Sequence, residues 1–272
     1  MTEMLIESEA NARFKRWRKL AKEPRAVKKE NATLLEGIHL TEVVRDSNAT
    51  LAAVILDAER ATAEARHLAH ETAARKAARV YALSPALYDQ LSPVEHGVGV
   101  MCEMTLPAKP DAAKWAEADV LYLDGVQDAG NAGTLIRTAV AAGVRVIVAS
   151  PVTANLWTPK VMRAAMGAHL GALIVEGVKA EDFRGIYSGT ILAADARGGE
   201  DLFRASDDYA RGPVAWIMGA EGPGVSQAAL DVTDRRFYIP IEAACESLNV
   251  AAAAAVCLFD LRRRRLTVTE MQ

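Results

Sequence analysis

The chain has 272 residues, of which 51% are hydrophobic and 25% are charged, and its formal net charge is −3. This length favours two domains, and this balance excludes a wholly disordered or fibrous protein. A net charge so close to zero argues against binding nucleic acid by bulk charge alone. No apolar run is long enough for a membrane span, and the N-terminus lacks the apolar core of a signal peptide. We therefore interpret the chain as cytoplasmic, without a membrane partner.

Positive charge is concentrated in two segments of the chain. Residues 13–29 contain nine lysines and arginines, and residues 262–265 are four consecutive arginines. Such segments are either solvated helix faces or a footprint for an RNA backbone, and the sequence leaves both open. The three cysteines form no CxxC pair, and no histidine cluster has a metal-ligand spacing, so disulfides and a bound metal are not expected.

Helical and extended patterns alternate from about residue 12 to residue 104. A basic helix comes first, and the runs AAVILD and RVYALS predict strands. Residues 60–79 are rich in Ala, Glu and Arg with few apolar anchors, which predicts an exposed helix or helix pair outside the core. Pro107 and Pro110 then interrupt helix and sheet hydrogen bonding. We predict a smaller N-terminal α/β domain over residues 1–105, a linker over 106–118 and a second domain over 119–272.

The second domain is predicted to be α/β with a parallel sheet. Short, nearly continuous apolar runs alternate with helical stretches, which is typical of strands covered on both faces: VLYLDGV, VRVIVAS, ALIVEGV, TILAADA, VAWIMGAE and RFYIPI. In such sheets a ligand binds at the carboxyl ends of the strands. The chemistry is therefore expected in the loops DGVQDAGNAGT, MGAEGPGVS and IPIEAACESLN.

The first of these loops contains Asn131 and opens a helix that Gly143 is well placed to end. Asn131 could simply cap that helix. Arg137 is harder to explain as structure, because its helix is otherwise small or apolar on several sides and its side chain leans toward the N-terminus. We therefore expect the Arg137 guanidinium to point toward the loop of Asn131.

The other two loops each offer polar groups among small residues. The second has the pattern GxxGxG with Glu221 between two of its glycines, which on spacing alone is equally typical of a tight turn. In the third, Ser247 and Asn249 precede an Ala-rich helix, and either could be its N-cap. Two polar candidates are one more than a cap needs. The small residues of the helix favour close packing against another helix.

Taken together and in this order, the three loops resemble the three motifs of the SpoU family of RNA ribose methyltransferases, the TrmH-like members of the SPOUT superfamily. The resemblance covers residues 119–262. The N-terminal part, with LLEGIHLTEVV and HGVGVMCEM, looks like the RNA substrate-binding domain often fused to such enzymes. The chain departs from the family at Ala129, where Pro is common, and near Ala243 and Ala244, where Gly is frequent.

The resemblance implies a parallel sheet whose C-terminal stretch forms a deep trefoil knot. It implies methyl transfer from S-adenosylmethionine to a ribose 2′-hydroxyl of rRNA or tRNA, with RNA rather than DNA as substrate and a homodimer formed through the C-terminal domain. Catalytic roles carry over to five polar residues: Asn131, Arg137, Glu221, Ser247 and Asn249. Cofactor binding, largely through the backbone, carries over to three more: Gly219, Ile239 and Leu248.

Two other classes of protein are weighed against this prediction. A nucleotide-dependent α/β enzyme is opposed by the absence of a Walker loop and of an early GxGxxG motif. A non-catalytic RNA-binding or ribosome-assembly protein with the same fold is opposed by the presence of all five polar motif residues. Because a guanidinium almost never loses its proton, we expect Arg137 to bind phosphate and stabilise negative charge rather than act as a base. The sequence does not identify the target nucleotide.

Overall fold

The computed structural model of the protein describes residues 2–92, 94 and 97–270. The strands within these residues are β1 (Met4–Ile6), β2 (Ala32–Glu36), β3 (Leu51–Asp57), β4 (Arg79–Leu83), β5 (Val100–Thr105), β6 (Val120–Asp124), β7 (Val146–Ala149), β8 (Leu173–Glu176), β9 (Thr190–Ala194), β10 (Glu200–Asp201), β11 (Val214–Gly219) and β12 (Arg235–Tyr238). The α-helices are α1 (Ala12–Lys22), α2 (Pro24–Lys29), α3 (Ile38–Asp46), α4 (Ala63–Arg75), α5 (Pro85–Leu91), α6 (Ala129–Ala142), α7 (Pro159–Ala164), α8 (Ala180–Ile186), α9 (Gln227–Asp231) and α10 (Val250–Glu270). No α-helix of the described part is both long and apolar enough to cross a bilayer.

Backbone contacts divide the described chain into two compact units. The first contains Met1–Ala108 and Trp157–Leu170, and the second contains Lys109–Leu156 and Gly171–Gln272. The segment Trp157–Leu170 thus belongs to the first unit, although it lies within the stretch assigned to the second domain from sequence. The domain limits of 1–105 and 119–272 stay a prediction, because compactness alone does not define an independently folding domain.

The first unit is built on a mixed sheet with the strand order β1-β4-β3-β5-β2. β3 runs parallel to β4 and antiparallel to β5. The buried face of α1, formed by Phe14, Trp17 and Leu20, belongs to the core of this unit. The indole N–H of Trp17 donates to the buried carboxylate of Glu103 on β5 at 2.7 Å, and Arg16 pairs with the same carboxylate. These bonds fix α1 on the sheet.

The helix α4 corrects one prediction. Residues 60–79 were expected to lie outside the core, yet α4 buries Ala65, Leu68, Ala69 and Ala73. The prediction was wrong because alanines can form a buried face without the large apolar anchors that a sequence pattern detects. Thr62 caps the helix by accepting a hydrogen bond from the backbone N–H of Ala65 at 3.1 Å.

The second unit contains a parallel sheet in the order β10-β12-β9-β11-β6-β7-β8. Each apolar run predicted as a strand forms one, so the prediction of a parallel α/β domain is confirmed. β6 and β11 are neighbours, and their last residues, Asp124 and Gly219, are register partners. The loops that follow these two strands therefore start side by side at the carboxyl edge of the sheet. The trefoil knot stays a prediction.

The helices α6 and α10 pack against each other in this unit. Asp128, rather than Asn131, caps α6 by accepting a hydrogen bond from the Asn131 backbone N–H at 2.8 Å. Gly143 ends the helix with φ +94°, as expected from its position. At α10, Asn249 rather than Ser247 is the cap, since its side-chain oxygen accepts from the backbone N–H of Ala251 at 2.9 Å.

The arginines near the end of α10 are used inside the second unit. The Arg264 side chain is 4% exposed and donates to the carbonyls of Leu202 at 2.9 Å and Ala205 at 2.8 Å, besides pairing with Asp260. Arg265 pairs with Asp119. For these two arginines the structure therefore supports neither interpretation of residues 262–265, because their side chains are used in contacts inside the unit. They fasten α10 to the unit rather than face an RNA backbone.

Candidate active site

Three polar side chains, one from each motif loop, meet beyond the carboxyl ends of β6 and β11. The Nδ2 amide of Asn131 donates to Oε1 of Glu221 at 2.8 Å. The Nδ2 amide of Asn249 donates to Oδ1 of Asn131 at 3.0 Å. These residues are 118 positions apart at their extremes in the sequence, so the network joins loops that no local pattern connects.

The chemistry of Glu221 fixes the direction of this network. An ionised carboxylate only accepts hydrogen bonds, so Asn131 must turn its NH₂ group toward Glu221 and its oxygen toward Asn249. Glu221 also accepts from the backbone N–H of Gln127 at 3.3 Å. Partial burial opposes ionisation of Glu221, but the hydrogen bonds from Asn131 and from nearby backbone groups outweigh it and lower the pKa of the carboxyl. Glu221 is therefore ionised at neutral pH.

A cavity of about 380 Å³ lies beside the network. Its size falls within the range of small-molecule sites, and its lining combines apolar side chains with a few polar groups. Gly219, Ile239 and Leu248, the predicted cofactor residues, all line it, as does Ser247. The backbone groups of Ile239 and Leu248 have no hydrogen bond to any described residue, so they can pair with a polar ligand.

Glycine at position 219 is required by the fold of the second loop. A Cβ built there would lie 2.1 Å from the backbone carbon of Gly224. The loop closes through reciprocal backbone hydrogen bonds between Ala220 and Gly224, of 3.1 and 2.9 Å. The backbone of this loop thus forms one wall of the cavity at close range, which suits a flat, extended ligand held partly by backbone groups.

Known proteins share this architecture. The SpoU rRNA Methylase family model matches residues 119–259. The chain is 34% identical over 269 residues to the 23S rRNA (guanosine(2553)-2'-O)-methyltransferase RlmP of Bacillus subtilis, a match covering 94% of this chain and 98% of that protein. The chain belongs to the SpoU rRNA methylase family. The resemblance stated from the three motifs is thus confirmed, and the SpoU enzyme is an RNA 2′-O-methyltransferase.

Solved structures share the fold of this SpoU enzyme. An rRNA methyltransferase from Sinorhizobium meliloti, solved with AdoMet bound, superposes with a TM-score of 0.82 at 22% identity, covering 95% of this chain and 97% of that one. A putative RNA methyltransferase of the TrmH family from Porphyromonas gingivalis superposes with a TM-score of 0.78 at 27% identity, covering 94% and 100%. Both superpositions cover nearly the whole SpoU chain. At 22% identity, the first shows a shared fold only.

The predicted site residues are not all brought together in this SpoU enzyme. Asn131, Glu221 and Asn249 form the network, and Ser247 lines the cavity beside it. The side chain of Arg137 is exposed and has no hydrogen bond or ion pair with a described residue. At about 100° per residue, six positions turn its side chain to about 120° from that of Asn131 around α6. Within one subunit, α6 therefore places Arg137 on a different face from Asn131, without a hydrogen bond to the network, and its catalytic role stays a prediction.

Sequence reasoning missed two residues that support the loops of the SpoU enzyme. Asp124, at the end of β6, is buried and accepts a hydrogen bond from the backbone N–H of Ser226 at 2.7 Å. Arg197 lines the cavity from the loop after β9. Their only signals in the sequence are an acidic residue closing an apolar run and an arginine before two glycines, and neither pattern is specific.

Proposed function

We propose that the protein transfers a methyl group from S-adenosylmethionine to the ribose 2′-hydroxyl of a guanosine in 23S rRNA. The hydrogen-bonded network of Asn131, Glu221 and Asn249 beside the cavity carries the proposal, because it joins the three family motifs around one ligand-sized space. Similarity to RlmP along 94% of the chain supports 23S rRNA as the substrate. Such a substrate would place the enzyme in the cytoplasm with the ribosomal RNA.

The cavity fits S-adenosylmethionine in size and in chemistry. Gly219 brings backbone close to the space, and the free backbone groups of Ile239 and Leu248 can pair with a purine and its ribose. Ser247 adds a hydroxyl to the same lining. When bound, S-adenosylmethionine supplies an electrophilic methyl group to the site. The protein's own contribution is to hold the loops, exclude water and orient the ribose hydroxyl.

Neither charged candidate in the site is a good proton acceptor. Burial opposes ionisation of Glu221, but hydrogen bonds lower its pKa overall and make the carboxylate a weak base. A guanidinium such as that of Arg137 donates hydrogen bonds and has no acceptor atom. We therefore assign Glu221 to holding the first and second loops together. Arg137 is assigned to binding a substrate phosphate and stabilising the charge that develops on the ribose oxygen.

A homodimer formed through α6 and α10 would complete the site. Phe259 and Leu266 on α10 are 46% and 55% exposed, and because they are seven positions apart they lie on the same face of the helix. Arg137 is exposed on α6, which packs against α10. A second copy covering the apolar residues would also contact Arg137. We assign the Arg137 guanidinium to the network of the partner subunit, since its own α6 directs it away from Asn131.

The first unit would bind the RNA backbone through a stripe of lysines on α1. Lys15, Lys19 and Lys22 are exposed, and they follow one another at helical spacing opposite the buried face of α1. None of the three has a hydrogen bond or ion pair through its side chain with any described residue. Arg25 and Lys29 continue the positive charge on α2. This cluster is free to neutralise phosphates, unlike Arg264 and Arg265.

A methylation assay on defined RNA tests the proposed function. Purified protein, labelled S-adenosylmethionine and unmodified 23S rRNA should yield one ribose methylation, and mapping of cellular RNA with and without the gene should show one missing mark at the same nucleotide. Binding of S-adenosylhomocysteine measured by calorimetry provides the second readout. A protein that binds rRNA but ignores S-adenosylhomocysteine would instead be a non-catalytic RNA-binding protein, and methylation of tRNA alone would overturn the assignment of substrate.

The lysine stripe is tested by the salt dependence of RNA binding. Substituting Lys15, Lys19 and Lys22 by Gln should weaken rRNA binding and reduce the slope of log affinity against log salt by about 2 to 3, close to one unit per lost phosphate contact. A control with the same loss of charge substitutes three exposed cations elsewhere, Lys179, Arg204 and Arg211. Equal effects of the two triple variants would show that only net charge matters.

A further inference from the structure

The second motif loop is held from outside the three motifs by one guanidinium. Arg197, in the loop after β9, donates from Nη1 to the carbonyl of Pro223 at 3.3 Å and from Nη2 to the carbonyl of Val225 at 2.7 Å. These two carbonyls flank Gly224, whose backbone N–H and carbonyl close the loop onto Ala220. Arg197 therefore bonds the loop at the point where it turns back along the cavity wall.

The guanidinium of Arg197 is itself fixed by a buried acid. Its Nε donates to Oδ1 of Asp195 at 2.8 Å, and the backbone N–H of Arg197 donates to the same oxygen at 3.1 Å. Oδ2 of Asp195 accepts from Arg236 on β12 at 2.5 Å. The Asp195 side chain is 2% exposed and so has little freedom to move. A charge-assisted pair with a buried partner holds a side chain far better than an exposed pair does.

A tight turn brings Arg197 to this position. Gly199 has φ +115°, and a Cβ at this position would lie 2.3 Å from the carbonyl oxygen of Arg236. The chain after β9 is thus pressed against β12 while Arg197 projects toward the second loop. Three elements, the end of β9, β12 and the second loop, are joined through Asp195 and Arg197.

We propose that Arg197, anchored by Asp195, is a positioning residue that keeps the Gly219–Gly224 wall of the cavity in its ligand-binding form. This inference rests on the proposed function only in taking S-adenosylmethionine as the ligand. The guanidinium donates hydrogen bonds to two carbonyls of the loop and so restricts rotation of their peptide groups. The loop is therefore ordered before the ligand binds. Ordering in advance lowers the entropy cost of binding. Loss of Arg197 should therefore weaken cofactor binding more than it slows the transfer from a saturated site.

The test compares Arg197→Ala with Arg204→Ala in the full-length protein. Arg204 follows β10 in the sequence. Its side chain is 87% exposed, and it does not line the cavity. We expect Arg197→Ala to raise the Kd for S-adenosylhomocysteine, measured by calorimetry, by about tenfold, which corresponds to the loss of one or two hydrogen bonds. KM for S-adenosylmethionine should rise in parallel while kcat changes less than threefold, and Arg204→Ala should match wild type.

Hydrogen exchange of the ligand-free protein gives a readout independent of activity. The amide of Gly224 should exchange faster in Arg197→Ala, while the thermal midpoint should fall only slightly, because Asp195 keeps its bond to Arg236 and the Arg197 side chain is 54% exposed. Arg197→Lys keeps the charge but cannot bridge both carbonyls and Asp195, so it should rescue only part of the affinity.

The outcomes separate this inference from the proposed function. If wild-type protein does not bind S-adenosylhomocysteine, the proposed function fails. If wild type binds it and Arg197→Ala binds equally well with unchanged exchange at Gly224, Arg197 is not a positioning residue. Arg197→Ala could also lower the thermal midpoint strongly and accelerate hydrogen exchange throughout the second unit. That result would overturn the inference, because it would show a general structural role.

Discussion

Residue identity in this enzyme matters most where one side chain serves two loops. Asn249 caps α10 through its oxygen and bonds Asn131 through its amide. Asn131 in turn is released from capping because Asp128 caps α6. This division explains why both Asp128 and Asn131 lie at the start of α6, although a cap needs only one polar side chain. It also makes the structural and the functional role of Asn249 separable by substitution.

Asn249→Ala should lose both roles, and Asn249→Ser should keep the cap but lose the amide donor. We expect Asn249→Ala to reduce the free energy of unfolding by about 1 kcal/mol, as for other lost caps. Asn249→Ser should unfold like wild type. Both variants should bind S-adenosylhomocysteine about fivefold more weakly, for the loss of a hydrogen bond of about 1 kcal/mol. Thermal unfolding and calorimetry on the same samples measure the two effects. Wild-type affinity in Asn249→Ser would show that the bond to Asn131 is dispensable.

Arg137→Ala should lower single-turnover methyl transfer by on the order of 10²-fold or more, the usual loss for a contact made in the transition state. The affinity for S-adenosylhomocysteine and the thermal midpoint should stay close to wild type, because Arg137 is exposed and outside the cavity lining. Arg137→Lys should be nearly as inactive if two N–H groups grip one phosphate. Arg145→Ala, another exposed arginine just after α6, is the control. A well-folded and fully active Arg137→Ala protein would remove Arg137 from the site.

At the scale of elements, α10 is the piece on which both the site and the unit depend. Its first residue follows Asn249, and its later turns carry Arg264, which is buried among carbonyls and acids. Burial normally penalises an arginine, and here its hydrogen bonds to Asp260 and Asp207 raise the pKa of Arg264 in spite of it. The helix is thus held at its start by polar contacts of the site and in its later turns by an internal ion-pair cluster.

Arg264→Ala should therefore destabilise the protein by about 3 kcal/mol or more, because it leaves buried acceptors without their donor. Arg262→Ala should change the free energy of unfolding by about 0.5 kcal/mol or less, since Arg262 is exposed. Urea unfolding followed by circular dichroism compares the two. If Arg264→Ala unfolds like wild type but binds rRNA more weakly, the end of α10 is an RNA-binding segment and our structural assignment is wrong.

At the scale of the whole molecule, the apolar residues on α10 and the position of Arg137 point to assembly. Wild-type protein should scatter light as a dimer at micromolar concentration. Phe259→Glu places a charge in the proposed interface and should yield monomers, because burying an unpaired charge is costly. Phe203→Glu is the matched control, since Phe203 is 57% exposed outside α10. A monomer mass for wild type at every concentration would exclude the dimer.

Mixed dimers decide which subunit each Arg137 serves. When Arg137→Ala and Asn131→Ala proteins are mixed and exchange subunits at random, half of the dimers carry one copy of each. If Arg137 acts on the partner's site, each mixed dimer regains one site, and about a quarter of wild-type activity returns. If Arg137 acts on its own subunit's site, the mixture stays inactive. Two inactive parents are the required control.

The sequence by itself determined the parallel sheet and the three loops of the site. Short apolar runs that alternate with helical stretches are typical of strands covered on both faces, and parallel strands bring their following loops to one edge. The glycine at position 143 and the motif residues of the three loops are also local signals, legible without coordinates. The resemblance of these loops to the SpoU motifs predicts Asn131, Glu221 and Asn249 by number, and with them Gly219, Ile239 and Leu248 of the cavity lining.

Only the tertiary structure decided which charged residues are free. In the sequence, the arginines of residues 262–265 and the lysines of α1 are both simply clusters of positive charge. In the structure, Arg264 donates hydrogen bonds to residues 57 to 62 positions away. The burial of α4 and the bonds of Arg197 to the second loop depend on similar long-range contacts. Local periodicity reports which face of an element is apolar, but ion pairs and hydrogen bonds between distant segments exist only after the chain has folded, and they determine which polar groups remain available for RNA and cofactor.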